Sequence, residues 1–74
     1  MIVSLRELEP GESARVVEVR SQNQTRLDRL GALGLVPGSH IVLQQMHPAP
    51  VVLTGETEIS VDFDLARIIL VKRI

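Results

Sequence analysis

The stretch "LGALGLVPGSHIVL", residues 30–43, limits the fold more than any other part of the chain. Three glycines and one proline stand among leucines and valines, where an amphipathic helix would carry charge on its outer face. The preceding residues give the stretch its reading. In "SQNQTRLDRLGALG" (21–34), the polar residues Ser21, Asn23 and Thr25 lead into Leu27, Leu30 and Gly31 at helical spacing, and Gly34 is placed as a left-handed C-cap. At 100° per residue Leu27, Leu30, Gly31 and Gly34 share one face, while Leu33 points roughly a third of a turn away. That face is expected to lie across an open end of the fold, with glycine letting the helix backbone approach a strand closely. Pro37-Gly38 then predicts a type II turn, and a strand starts after it.

The remainder reads as β-structure. Ser4, with Glu7 three residues on, predicts a single capped turn that Pro10-Gly11 stops. "SARVVEVR" (13–20) reads as a strand with Val17 and Val19 alternating against Glu18 and Arg20, and Val16 breaks that alternation. From His40 onward come "HIVLQQM", "PVVL", "TEISVD" and "RIILVKRI". In "TEISVD" Ile59 and Val61 face inward and Glu58, Ser60 and Asp62 outward, and Gly55-Glu56 suits a tight hairpin. Asp64-Leu65-Ala66 has room for one helical turn. The expected fold is mainly β: a small five-stranded SH3-like barrel over residues 1–74, a single domain, with one short helix inserted after the first strand.

A chain of 74 residues supports only one small core. Phe63 is the sole aromatic, so that core is expected to be aliphatic. Without cysteine there is neither a disulfide framework nor a thiolate metal site. The net charge of −1, with dispersed cations, lacks the basic footprint of a duplex binder, and one aromatic gives no stacking platform for single strands. No nucleic-acid partner is expected. No apolar run approaches the roughly 18–20 residues of a membrane span, and the N-terminus lacks the basic start and apolar segment of a signal peptide. The chain is therefore expected to be cytoplasmic and not itself membrane-spanning.

Little in the sequence points to catalysis. No nucleophile or proton-transfer group stands beside a base in a recognised spacing, so no enzyme activity is expected and no catalytic residue is assigned. His40 and His47 flank one predicted strand. They read as two solvent-facing strand-end histidines, with weak binding of a divalent transition metal as the alternative, and no resident cofactor is expected. Glu56, Glu58, Asp62 and Asp64 form an acidic run that could attract a hard cation or ferrous ion, and that reads first as a solvated face. "GLVPG" lacks the Lys-Ser or Lys-Thr pair of a phosphate loop.

Taken in order, Leu5, Leu8, Gly11 and Glu12 ("L-x-x-L-x-x-G-E"), a valine strand, "R-L-x-x-L-G-x-L-G-L-V-P-G" from Arg26 to Gly38, "P-V-V-L" (50–53) and "A-R-I-I-L-V" (66–71) resemble the FeoA family. Its members are small SH3-like barrels of bacterial ferrous iron uptake, and a like domain ends the iron- and manganese-dependent repressors of the diphtheria toxin repressor type. The resemblance implies a cytosolic accessory protein, at the inner face of the membrane beside its partner. That partner is the cytosolic GTP-binding part of the FeoB transporter. Many members carry a basic pair, "L-R-R-x-E-A", before the last strand. Here Val61–Ala66 reads "V-D-F-D-L-A", and the added negative charge disfavours a phosphate-facing corner.

The partner-binding residues expected are Arg26, Leu33, Leu35 and Val36. A short helix ending in a glycine cap buries one face, which leaves Leu33, Leu35 or both as an exposed apolar patch. Two alternatives stand beside docking on the transporter: a metal-responsive regulatory domain using His40, His47 or the acidic run, and a barrel that self-associates through the same leucines.

Overall fold

A computed structural model describes all 74 residues. The strands are β1 (Ile2–Ser4), β2 (Ser13–Val19), β3 (His40–Gln45), β4 (Val51–Thr54), β5 (Thr57–Ser60) and β6 (Ile69–Arg73). Two helices interrupt them, α1 (Gln24–Ala32) and α2 (Phe63–Ile68). A 3₁₀ turn over Leu5–Glu7 follows β1, started by the expected Ser4–Glu7 box: the Ser4 N–H donates to Glu7 Oε2 and Ser4 Oγ accepts from the Arg6 N–H.

All pairings in the sheet are antiparallel, in the order β1-β6-β2-β3-β4-β5. The SH3-like barrel expected from the sequence is present with six strands instead of five, so α1 follows the second strand. The additional strand, β1, is only three residues long, and its partner β6 lies at the far end of the chain (Ile2↔Lys72, Ser4↔Leu70). No local pattern announces such a pairing. The two end strands β1 and β5 do not pair with each other, and α2 packs against β1 and the Leu5–Glu7 turn beside them.

Bulges bend the sheet. Between Val16 and Glu18 the register of β2 advances two residues against one on β6, which makes Val17 the inserted residue. The bulge shifts the phase within this strand: Ala14 and Val16 are buried and Val17 is exposed, against expectation, while Val19 packs half-buried against the core, as expected. Val16, which breaks the sequence alternation, is a core residue because the backbone itself slips there. A similar register shift lies between Leu43 and Gln45 of β3.

The core is aliphatic throughout, with Leu5, Ile41, Leu43, Val52, Ile69 and Val71 fully buried and no buried polar side chain. β5 keeps its expected alternation, Ile59 and Val61 inside and Glu58 and Ser60 outside. The Thr54↔Thr57 pair closes the hairpin over Gly55-Glu56. α2 runs six residues, longer than the single turn expected, because Asp62 caps it: its Oδ1 accepts from the Leu65 N–H at 2.6 Å.

Candidate partner-docking site

The site is built around α1 and the turn that follows it. Asn23 starts the helix, its side-chain oxygen accepting from the Arg26 N–H at 3.0 Å, and Gln24 Nε2 donates to Asp28 Oδ1 one turn on. Leu30 is the only fully buried residue of α1, so the helix rides on the barrel and keeps most of its surface free.

Its last turn is a Schellman motif. The Leu35 N–H donates to the Leu30 carbonyl at 2.9 Å and the Gly34 N–H to the Gly31 carbonyl at 3.0 Å, with Gly34 at φ +92°. This geometry brings Leu35 back under the helix beside Leu30. Leu35 is 1% exposed, while Leu33 is 42% and Val36 41% exposed. The expectation that Leu35 meets a partner is corrected: the motif's backbone bonds fold it into the core. The expectation of close helix–strand approach at glycine is corrected as well. A Cβ added at Gly31 would meet only Val36 Cγ1 at 3.6 Å, an ordinary contact, and one at Gly34 would meet Thr54 Cγ2 at 3.9 Å.

The following loop is tied down at several points. Pro37-Gly38 forms the expected type II turn, with Gly38 at φ +94° and the Ser39 N–H donating to the Val36 carbonyl. Ser39 Oγ accepts from the Val36 N–H at 3.1 Å and donates to the Gly34 carbonyl at 2.6 Å. Gly38 is held from β2 through its N–H on the Val16 carbonyl and its own carbonyl under Arg15 Nη1. Leu33 and Val36 are thus exposed apolar side chains on a fixed backbone.

Clefts flank α1 on both sides. One, of about 350 Å³, lies between α1 and the β5–α2 junction; Arg26, Arg29 and Leu33 line one wall, and Ser60, Asp62 and Leu65 the other. The second, of about 330 Å³ and mostly apolar, lies between α1 and β2, with Leu27, Val36 and Pro37 on its walls and Leu35 beneath. Arg26 and Leu33 therefore share one cleft, and Val36 borders the other. Arg29 and Ser60 belong to the first cleft and were not expected. Arg29 was legible in principle, three residues after Arg26 on the same helix; Ser60 reaches the cleft only through tertiary packing.

His40, the first residue of β3, is exposed and stands opposite Arg15. His47 lies beyond the other end, its ring centroid 5.6 Å from that of Phe63. The six residues of β3 separate the two by roughly 20 Å of extended chain, too far to share an ion. No three His, Cys, Asp or Glu side chains converge anywhere in the chain. In the acidic run, Asp62 caps α2, Asp64 pairs with Arg67 at 3.4 Å, and Glu56 and Glu58 are exposed. Phe63 lies under the Arg6 guanidinium, 5.5 Å from the ring centroid, and beside His47.

A small open barrel with an aliphatic core, one raised helix and a pinned glycine-proline turn is an SH3-like domain. A family model for the FeoA domain matches residues 3–73, and the chain belongs to that family. Among solved structures it is similar to an iron uptake regulatory protein, FeoA, with 26% identity over 100% of this chain and 99% of the other, at a TM-score of 0.87. It is similar to the FeoA protein of Chlorobium tepidum, with 27% identity over 97% of this chain and 70% of the other, at a TM-score of 0.88. It also matches T. acidophilum IdeR, with 26% identity over 99% of this chain and 34% of that protein, at a TM-score of 0.90. A search of curated protein sequences finds no match. No helix is long and apolar enough to cross a membrane.

Proposed function

We propose that the chain is a non-catalytic accessory protein of ferrous iron uptake that docks, on the cytosolic side, onto the GTP-binding part of a FeoB-type transporter through α1 and the Leu33–Val36 turn. FeoA-family membership supports the pathway. The observation that carries the docking surface is the pair Leu33 and Val36, both about two-fifths exposed on a backbone fixed by the Schellman bonds and the Ser39 hydroxyl. A preorganised apolar patch loses little entropy on binding, which suits a protein interface.

Binding of Leu33→Asp to the isolated cytosolic part of the transporter, followed by calorimetry, tests this. Affinity should fall at least tenfold, about 1.4 kcal/mol, while circular dichroism and the unfolding midpoint stay near those of the parent. Equal affinity for both proteins sinks the reading.

The match to about a third of IdeR supports a second reading, a metal-responsive regulatory domain. Anaerobic titration with ferrous or manganous ion decides it; no saturable binding removes it. Self-association through the same leucines is separated from both by sedimentation across a concentration series.

A further inference from the structure

β5 is the last strand in the sheet and pairs only with β4. Its hairpin closes on the Thr54↔Thr57 pair, and the Val61 N–H donates to the Pro50 carbonyl at 3.0 Å. By antiparallel alternation Thr57, Ile59 and Val61 turn their backbone groups toward β4, so Glu58 and Ser60 turn theirs toward the open edge. No turn or side-chain group takes up those two amides. The 350 Å³ cleft borders this edge toward its C-terminal end: it touches the inward-facing Ile59 and Val61 as well as the outward-facing Ser60, and Glu58 lies just beyond it on the same strand.

The opposite wall supplies charge. Arg26 and Arg29 are exposed on α1 and make no ion pair or side-chain hydrogen bond within the chain, although three other arginines do pair. Asp62 is the only carboxylate lining the cleft, and its Oδ1 is held by the Leu65 N–H.

We propose that the cleft between α1 and β5 takes an extended acidic segment of the protein partner, which adds to the free edge of β5 as a further strand and sets carboxylates against Arg26 and Arg29. The proposal rests on the docking reading above and specifies the chemistry of the bound segment. Main-chain bonds to Glu58 and Ser60 fix the strand, and its side chains alternate toward the arginines. Residues two apart on a strand are separated by about 7 Å, within reach of two long guanidinium side chains on adjacent positions of a helix face. The recognised pattern is therefore acidic at every second residue. An ion-paired groove of this kind weakens as salt rises.

The experiment measures amide hydrogen exchange on the full chain with two probes: the cytosolic part of the FeoB-type transporter, and random peptides displayed on phage and selected on the chain. With the first probe, exchange at Glu58 and Ser60 should slow at least tenfold. Arg26→Glu/Arg29→Glu should cut affinity at least tenfold and flatten its salt dependence, and Ser60→Pro, which removes one edge N–H, should also weaken binding. With the second probe, selected peptides should carry alternating carboxylates and protect the same two amides. If Ser60→Pro fails to fold, exchange on the unaltered chain still gives the answer. Transporter binding that leaves both amides and the charge-reversed pair indifferent overturns this inference and leaves the docking reading standing. A transporter part that does not bind, together with acidic peptides that do, overturns the docking reading, and with it the transporter as the source of the segment, while supporting an acidic strand on the β5 edge from another protein. Failure of both probes overturns both. Protection that grows with concentration of the chain alone places a second copy on the edge and overturns the acidic segment.

Discussion

Leu33 and Leu35 are two positions apart and chemically identical, and the end of α1 sends them to opposite sides of the surface. Leu35→Ala should cost about 2–5 kcal/mol of unfolding free energy, a large part of what a chain this small has, whereas Leu33→Ala should stay within about 0.5 kcal/mol; urea titration of both reads the contrast. Helical angles alone did not decide which of the two leucines is free, because a Schellman motif is set by backbone bonds that only Gly34 hints at. Glu12 is a second residue whose part emerges only in three dimensions. Its Oε1 accepts from the Glu9 N–H at 2.7 Å and its Oε2 pairs with Arg73 Nε at 3.1 Å, while Arg73 also donates to the Glu7 carbonyl. The Glu9 hydrogen bond first, and Arg73 after it, hold this carboxyl below the ordinary glutamate range against a partly desolvated setting. A group lowered in the folded state stabilises it when ionised. The stabilisation is complete above the ordinary glutamate range and is lost as pH falls through the lowered value. Glu12→Gln should therefore flatten the acid limb of a stability-against-pH curve and leave its shape near neutrality unchanged.

At the scale of elements, α1 and its cap can be separated by two alanines. Gly34→Ala should destabilise by about 1–2 kcal/mol, since its φ of +92° disfavours a Cβ although space is available. Gly31→Ala, in helical backbone with ordinary room, should stabilise by about 0.4–1 kcal/mol; shifts of the urea midpoint in opposite directions check the pair. The helix is held by Leu30 alone among its fully buried residues, so its amides should exchange through local opening, well before those of β2, β3 and β6. Native-state hydrogen exchange measures that order. Elements with strong local punctuation were legible: α1 from Asn23 to Gly34, the Pro37-Gly38 turn and the β5 alternation. Those set by distant pairing were not. β1 needs β6 to be a strand at all, and the phase of β2 depends on a bulge that a run of two valines followed by an alternating valine conceals.

The whole molecule is a curled ribbon of six strands whose ends do not meet, and that openness shapes the candidate site. The raised helix and the unpaired edge of β5 face one another only because β5 is last in the sheet order, a fact of topology and not of any local motif. Sequence reading accordingly named Arg26, Leu33 and Val36, which lie within one helix and turn, and did not name Ser60, which shares a cleft with Arg26 and Leu33 from across the fold. The acidic corner changed meaning for the same reason: the folded chain uses Asp62 as a helix cap and Phe63 as a ring against which Arg6 and His47 pack.

The pairing of β1 with β6 has a consequence for architecture on a larger scale. Ile2 sits opposite Lys72, so the polypeptide enters and leaves the barrel side by side, one strand spacing of about 5 Å apart. A unit wired in this way behaves as a cassette. It can be spliced onto another protein at either end, or carried within one. The same plan serves as nearly the whole of one FeoA protein and as a third of IdeR.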